Sequence, residues 1–156
     1  MPQMNHYVAF TLDEQSYCLD LSGVARVVHA ADIAALPRAP QIVMGILNLN
    51  GEIIPVVNIR KRFRLPEKEI ALSDELIIAR TAKRTVAILA ESVTRVIESQ
   101  AERIVAPEEV LPNTDYVAGI IKLPDGMVLI HDLDTFLSLE EEKSLDSAID
   151  GARSKE

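Results

Sequence analysis

The chain repeats itself, and that repeat constrains its fold more than any single residue does. Tyr17 and Val86 stand 69 residues apart, and at the same offset Val24-Ala25-Arg26-Val27-Val28 lies over Val93-Thr94-Arg95-Val96-Ile97. Further along, Gly45-Ile46-Leu47-Asn48-Leu49 lies over Gly119-Ile120-Ile121-Lys122-Leu123 at an offset of 74, and Asn58-Ile59 lies over Asp132-Leu133. Two offsets that differ by five imply one loop insertion between the matched blocks. A solenoid needs at least three repeats to bury a core, so two copies predict two small units. Closing each unit into a barrel would hide its strand edges.

The local pattern is that of strands. Tyr7 to Leu12 and Tyr17 to Leu21 read as a hairpin across Asp13-Glu14-Gln15-Ser16. Met44 to Leu49 and Ile53 to Ile59 meet at Asn50-Gly51, and Asn-Gly between apolar runs predicts a turn with φ > 0 at both residues. Leu76 to Ala79, Val86 to Leu89 and Val93 to Ile97 read as strands, and Val117 to Leu123 with Met127 to Leu133 as a last hairpin around Pro124-Asp125-Gly126. Gly23 to His29 is ambiguous, because Val24, Val27 and Val28 have helical spacing but are β-branched. Arg60 to Asp74 is polar, contains Pro66 and reads as a connector, and a loop carries Pro107 and Pro112. Ser138 with Glu141 three residues on is a capping box for a closing helix, and the tail from Asp150 is expected to fray.

Aromatics make up only 4% of the chain, so the core must be built from Val, Ile, Leu and Ala. Sixteen basic residues against 24 acidic ones give a net charge of −8, which repels phosphate backbones and disfavours nucleic acid. The single cysteine, Cys18, allows no disulfide within the chain and fits a reducing compartment. The opening MPQMNHYVAF has no leader pattern, and no run is long enough for a membrane helix, so no direct membrane insertion and a cytoplasmic location are expected.

Catalytic chemistry has little to start from. The histidines are His6, His29 and His131, and the tempting cluster is His131-Asp132-Asp134. In a strand, neighbouring side chains point to opposite faces, so a solvated strand end is the plainer reading there. Cys18 sits in an apolar strand without a basic neighbour and reads as an inert buried thiol. There is no phosphate loop, no CxxC pair and no HExxH, so no catalytic residue, metal ligand or cofactor is assigned. Arg60, Lys61, Arg62 and Arg64 form the only basic cluster and read as a solvated connector, with RNA contact as the competing reading.

Several separated blocks resemble CheW-type coupling domains. Val43-Met44-Gly45-Ile46-Leu47-Asn48-Leu49-Asn50-Gly51, then Ile54-Pro55-Val56-Val57-Asn58-Ile59-Arg60 and Phe63, is similar to the family signature G-[VI]-x-N-L-R-G followed by [IV]-P-V-[VI]-D-L-R-x-[RK]-F. Tyr7 to Leu21, Tyr116 to Gly119 and Leu129 to Leu137 resemble its other blocks, so the resemblance spans about residues 5 to 140. It implies a mainly β fold of two SH3-like five-stranded barrels. The whole chain, 1–156, would be one such domain. Residues 5–63 and 74–138 would be its two repeats, with strands open to exchange between barrels and 139–156 as terminal helix and tail.

The resemblance also implies a non-enzymatic adaptor that couples the cytoplasmic tips of chemoreceptors to the regulatory domain of the histidine kinase CheA. Partner contacts are expected near Val24, Arg26, Val27, Asn48 and Asn50. Two positions depart from the pattern. The family usually has Arg where Asn50 stands, and often an acidic residue where Arg26 stands. Drift and altered partner choice are both open readings of these departures. The competing functions are a small-ligand or catalytic site at His131-Asp132-Asp134 and an RNA-binding barrel using Arg60 to Arg64.

Overall fold

The computed structural model describes residues 4–30, 33–63, 65–100, 104–106, 116–124, 126–135 and 137–153. Among these residues eleven strands form two sheets, followed by one α-helix, α1 (Leu139–Arg153). The first sheet holds β1 (Met4–Leu12), β2 (Gln15–Asp20), β8 (Ser92–Gln100), β9 (Ile104–Val105), β10 (Val117–Leu123) and β11 (Gly126–His131), in the order β8-β1-β2-β11-β10-β9. The second holds β3 (Val24–His29), β4 (Val43–Leu49), β5 (Glu52–Val57), β6 (Glu75–Arg80) and β7 (Thr85–Ala90), in the order β3-β6-β7-β5-β4. Each sheet therefore draws strands from both sequence repeats.

The repeat reappears in the pairing. β1 pairs antiparallel with β8, and its counterpart β6 pairs antiparallel with β3. β2 runs parallel to β11 as β7 does to β5, so a local hairpin is joined in each sheet to a strand from the other half. The hairpins β4–β5 and β10–β11 share bounds at the 74-residue offset, and their registers slip at Val43/Gly45 and Val117/Gly119. These two glycines are required by close approach. A Cβ on Gly45 would lie 2.4 Å from the Ala34 carbonyl oxygen, and one on Gly119 would lie 2.5 Å from Ile104 Cγ2. Among turn residues, Asn50 and Gly51 take φ of 54° and 87°, both positive as the Asn-Gly dipeptide requires.

Three apolar cores result. Leu47, Ile54, Val56, Leu76, Ile78 and Ala87 fill the second sheet, while Ala9, Cys18, Ile97, Ile121 and Val128 fill the first. The largest lies between them, joining Phe10, Leu19, Val57, Ile77 and Ile88 to Leu145, Ala148 and Ile149 of α1. Burial of this aliphatic surface is the main favourable term holding the two sheets together.

Several expectations change. Val24 to His29 is a strand, because pairing with β6 gives its β-branched residues a ladder that helical spacing alone cannot show. The capping box forms in both directions: Ser138 Oγ accepts from Glu141 N at 3.1 Å, and Glu141 Oε1 accepts from Ser138 N at 2.9 Å. The helix does not fray at Asp150 but runs to Arg153, anchored just before by buried Ala148 and Ile149. Pro107 and Pro112, Arg64 and Asp125 lie outside the described residues.

Candidate partner-binding surface

Among the described residues β3 is an outer strand, bonded to β6 alone, and its register slips between Val24 and Arg26. A regular strand buries alternate residues, but here Ala25, Arg26 and Val27 are all exposed in succession. An unpaired edge and a bulge together explain this, since the bulge turns the strand out of the regular pleat. Val24 is half-buried against the shared core and Val28 against the core of the second sheet, so apolar contacts pin the strand at both ends. The structure thus brings Val24, Arg26 and Val27 together on one rigid, open edge.

Asn48 and Asn50 stand elsewhere, on β4 and its turn, at the other outer strand of the same sheet. Both are exposed. Asn48 has a structural duty as well, its Oδ1 accepting from Gly51 N at 3.0 Å and holding the turn. Sequence reasoning missed the repeat mates of the β3 pair. Arg95 and Val96 occupy the matching places on β8, also an outer strand, and Val96 is 55% exposed. The offset of 69 already aligned these residues with Arg26 and Val27, and could have nominated them.

Two arginines of the basic cluster, Arg60 and Arg62, are not solvated, whereas Lys61 is exposed as expected. Arg60 is buried, and its guanidinium donates to Asp13 Oδ1 at 2.6 Å, to Glu91 and to the Pro66 carbonyl. Burial works against its charge, but the hydrogen bonds to Asp13 and Glu91 outweigh that and hold the guanidinium above its usual range. Arg62 is half-buried, pairs with Glu141 of α1 and lies over the Tyr116 ring, its Cζ 5.4 Å from the centroid. The two arginines are fastened inside the protein, which removes them from an RNA-facing surface.

His131 is not at a solvated strand end. It is buried at the end of β11 with its ring 5.4 Å from that of Phe63, and burial pushes its pKa down to about 3. The imidazole is therefore neutral at physiological pH and cannot serve as a charged acid. Beside it lies a cleft of about 430 Å³ lined by Tyr7, Asp20, Arg80, Asp132 and Asp134 among others. Its carboxylates already have work: Asp20 caps Ser22, Asp132 accepts from Asp134 N, and Asp134 accepts from Ala82 N. Among the described residues no group of three or more His, Cys, Asp or Glu is placed to hold a metal. Cys18 is fully buried, and burial raises its thiol pKa to about 12, so it remains an unreactive thiol.

Residues 6–141 match the family model described as the CheW-like domain. The chain belongs to the CheW family. It is 31% identical over 144 residues to the chemotaxis protein CheW of Treponema pallidum, covering 88% of this chain and 85% of that one. It is 27% identical over 143 residues to the chemotaxis protein CheW of Klebsiella aerogenes, covering 90% and 86%. Among solved structures it superposes on the scaffolding protein TtCheW of Thermoanaerobacter tengcongensis with a TM-score of 0.80 at 30% identity, covering 90% of this chain and 92% of that one. The fold is accordingly the two SH3-like subdomains of CheW, and the protein is a scaffold or adaptor of chemotaxis signalling. No helix among the described residues is long and apolar enough to cross a membrane.

Proposed function

We propose that this CheW-family chain is a non-enzymatic cytoplasmic adaptor that couples chemoreceptor tips to the regulatory domain of the histidine kinase CheA by protein–protein binding alone. The observation that carries the reading is the bulged outer strand β3, where Arg26 and Val27 stand exposed on a rigid edge. An apolar side chain beside a cation on an open strand edge suits a partner helix or loop, with the valine buried and the arginine setting register. Asn50, on the other outer strand, is proposed as a second contact, its exposed turn standing where the family usually carries Arg.

Pull-down of the full chain with receptor signalling tips and, separately, with the CheA regulatory domain tests this directly. Binding to both is expected, and Val27→Asp should weaken one of them by at least about tenfold, since it puts a charge into a desolvated contact. Failure to bind either partner across cognate candidates would sink the proposal. Asn50→Arg, alone and with Arg26→Glu, should strengthen binding to a standard receptor–kinase pair if the altered charges set partner choice. Unchanged affinity in both variants would assign the departures to drift.

A further inference from the structure

A second opening lies away from the β3 edge, between the loop before β4 and the helix α1. This cleft, of about 330 Å³, is lined by Arg38, Lys143, Ser144, Ser147 and Ala148. Lys143 with Ser147 and Ser144 with Ala148 are each four residues apart, so they form two adjacent rows on one helix face. Ala148 is buried and supplies the floor; the other four are exposed, and none of their side chains has a partner among the described residues. Among the described residues, every polar group lining the cleft can donate a hydrogen bond, and no carboxylate lines it.

That is unusual in a chain with a net charge of −8. Three acids of the helix face away from the cleft, while exposed Glu140, three residues before Lys143 and four before Ser144, stands on the same face one turn toward the helix N-terminus. Glu141, Glu142 and Asp146 are turned to Arg62 and Arg84, which clamp α1 on its other side. Arg38 carries a further sign. It follows Pro37 in a turn closed by Ala39 N to the Leu36 carbonyl at 3.4 Å, and its φ is 64°. A turn with positive φ behind proline favours Gly or Asn, so an arginine there is held against local preference.

We propose that the cleft between Arg38 and α1 is a binding site for a phosphate group, free or carried by a small molecule. Two cations facing one cleft match a dianion of about −1.5 to −2 charge better than a carboxylate of −1. The Arg38 fork takes two phosphate oxygens, and the Lys143 ammonium and the two serine hydroxyls complete the donor set.

Titration of the ¹⁵N-labelled full chain with inorganic phosphate and with adenosine monophosphate, at fixed ionic strength, tests the site. Saturable amide shifts centred on Arg38 and on Lys143 to Ala148 are expected. Arg38→Gly suits the positive φ and leaves the turn intact, and Lys143→Gln is an exposed change; each should weaken binding about tenfold through loss of one charge-assisted contact. Both phosphate sources binding supports the site, with tighter binding of the nucleotide assigning an organic carrier and equal binding assigning the free anion. Shifts that never saturate, that acetate reproduces, or that persist undiminished in both variants would overturn it.

Discussion

Arg60 and Asp134 occupy matching places in the two repeats, 74 residues apart, and the molecule uses them in opposite ways. Both follow a cap of the same design. Asn58 Oδ1 accepts from Arg60 N at 3.1 Å, and Asp132 Oδ1 accepts from Asp134 N at 3.1 Å. Asn58 N donates to the Ile42 carbonyl just as Asp132 N donates to that of Tyr116. Beyond the shared backbone the ends diverge. Arg60 reaches inward and closes its end by pairing with Asp13 and Glu91. Asp134 is short, holds only the Ala82 amide, and helps to line the cleft beside His131. The backbone symmetry is retained while one side chain decides whether an end is sealed or open.

The largest expected effect breaks the sealed end. Arg60→Ala removes a buried cation and leaves Asp13 and Glu91 facing one another. We expect a loss of about 3 kcal/mol in urea unfolding, at the low end for a buried pair because both carboxylates reach water. Asp134→Ala should cost less than about 1 kcal/mol, the worth of one exposed hydrogen bond. Equal losses at the two positions would mean that Arg60 acts through its stem and not through its ion pairs.

The next effect concerns His131, whose repeat mate is the fully buried Val57. Its pKa is depressed in the folded state, from 6.5 to about 3, so between those values the unfolded chain binds the extra proton. Stability is therefore full above about pH 6.5 and falls on acidification, by about 1.4 kcal/mol for each unit down toward pH 3. By pH 5 the loss is about 2 kcal/mol. Asp13 and Glu141, whose pKa values are lowered by arginine partners against the cost of burial, add to it only as the pH falls through the carboxylate range. His131→Val, which installs the mate's residue, should flatten the unfolding midpoint between pH 7.5 and 5. An unchanged slope in that variant would place the titration elsewhere.

The sequence made the repeat legible because main-chain demands leave local marks. Gly45 and Gly119, the Asn-Gly turn and the Ser138–Glu141 box each satisfy a backbone requirement that neighbouring residues reveal. The family signature marked the β4–β5 hairpin and, through it, the two-barrel fold. Side-chain destinations were less legible. Arg60 read as solvated because its partners lie 47 and 31 residues away and meet it only after the strands exchange between sheets. His131 read as a strand end because nothing local shows that Phe63 covers it. The candidate surface was half legible: the family resemblance pointed to Arg26 and Val27, but the bulge that exposes them comes from pairing with β6.

The two tight glycines sharpen the comparison further. A Cβ at Gly45 would meet a backbone oxygen at 2.4 Å and Ile33 Cγ2 at 2.8 Å, and backbone cannot step aside without breaking the Ala34–Ile46 bridge. At Gly119 the near atom is the Cγ2 of Ile104, a side-chain end, with the Val105 oxygen at 3.6 Å. Gly45→Ala should therefore cost about 2 kcal/mol and Gly119→Ala about 1 kcal/mol in the same unfolding assay. A reversed order would show that the Ala34 segment yields more easily than β9.

The smallest difference between the repeats is expected at the caps, where they agree most closely. Asn58→Ala and Asp132→Ala each remove one side-chain acceptor from a backbone N–H two residues on, and each should cost about 1 kcal/mol. Asn58 is buried and Asp132 only half-buried, so the first loss should be the larger. The buried Arg60 amide then lacks an acceptor, whereas the exposed Asp134 amide finds water. A larger loss at Asp132 would mean that its carboxylate does more than cap. The carboxylate also lines the cleft, so that result would locate the excess there and make the open end a stabilised feature instead of an unfilled one.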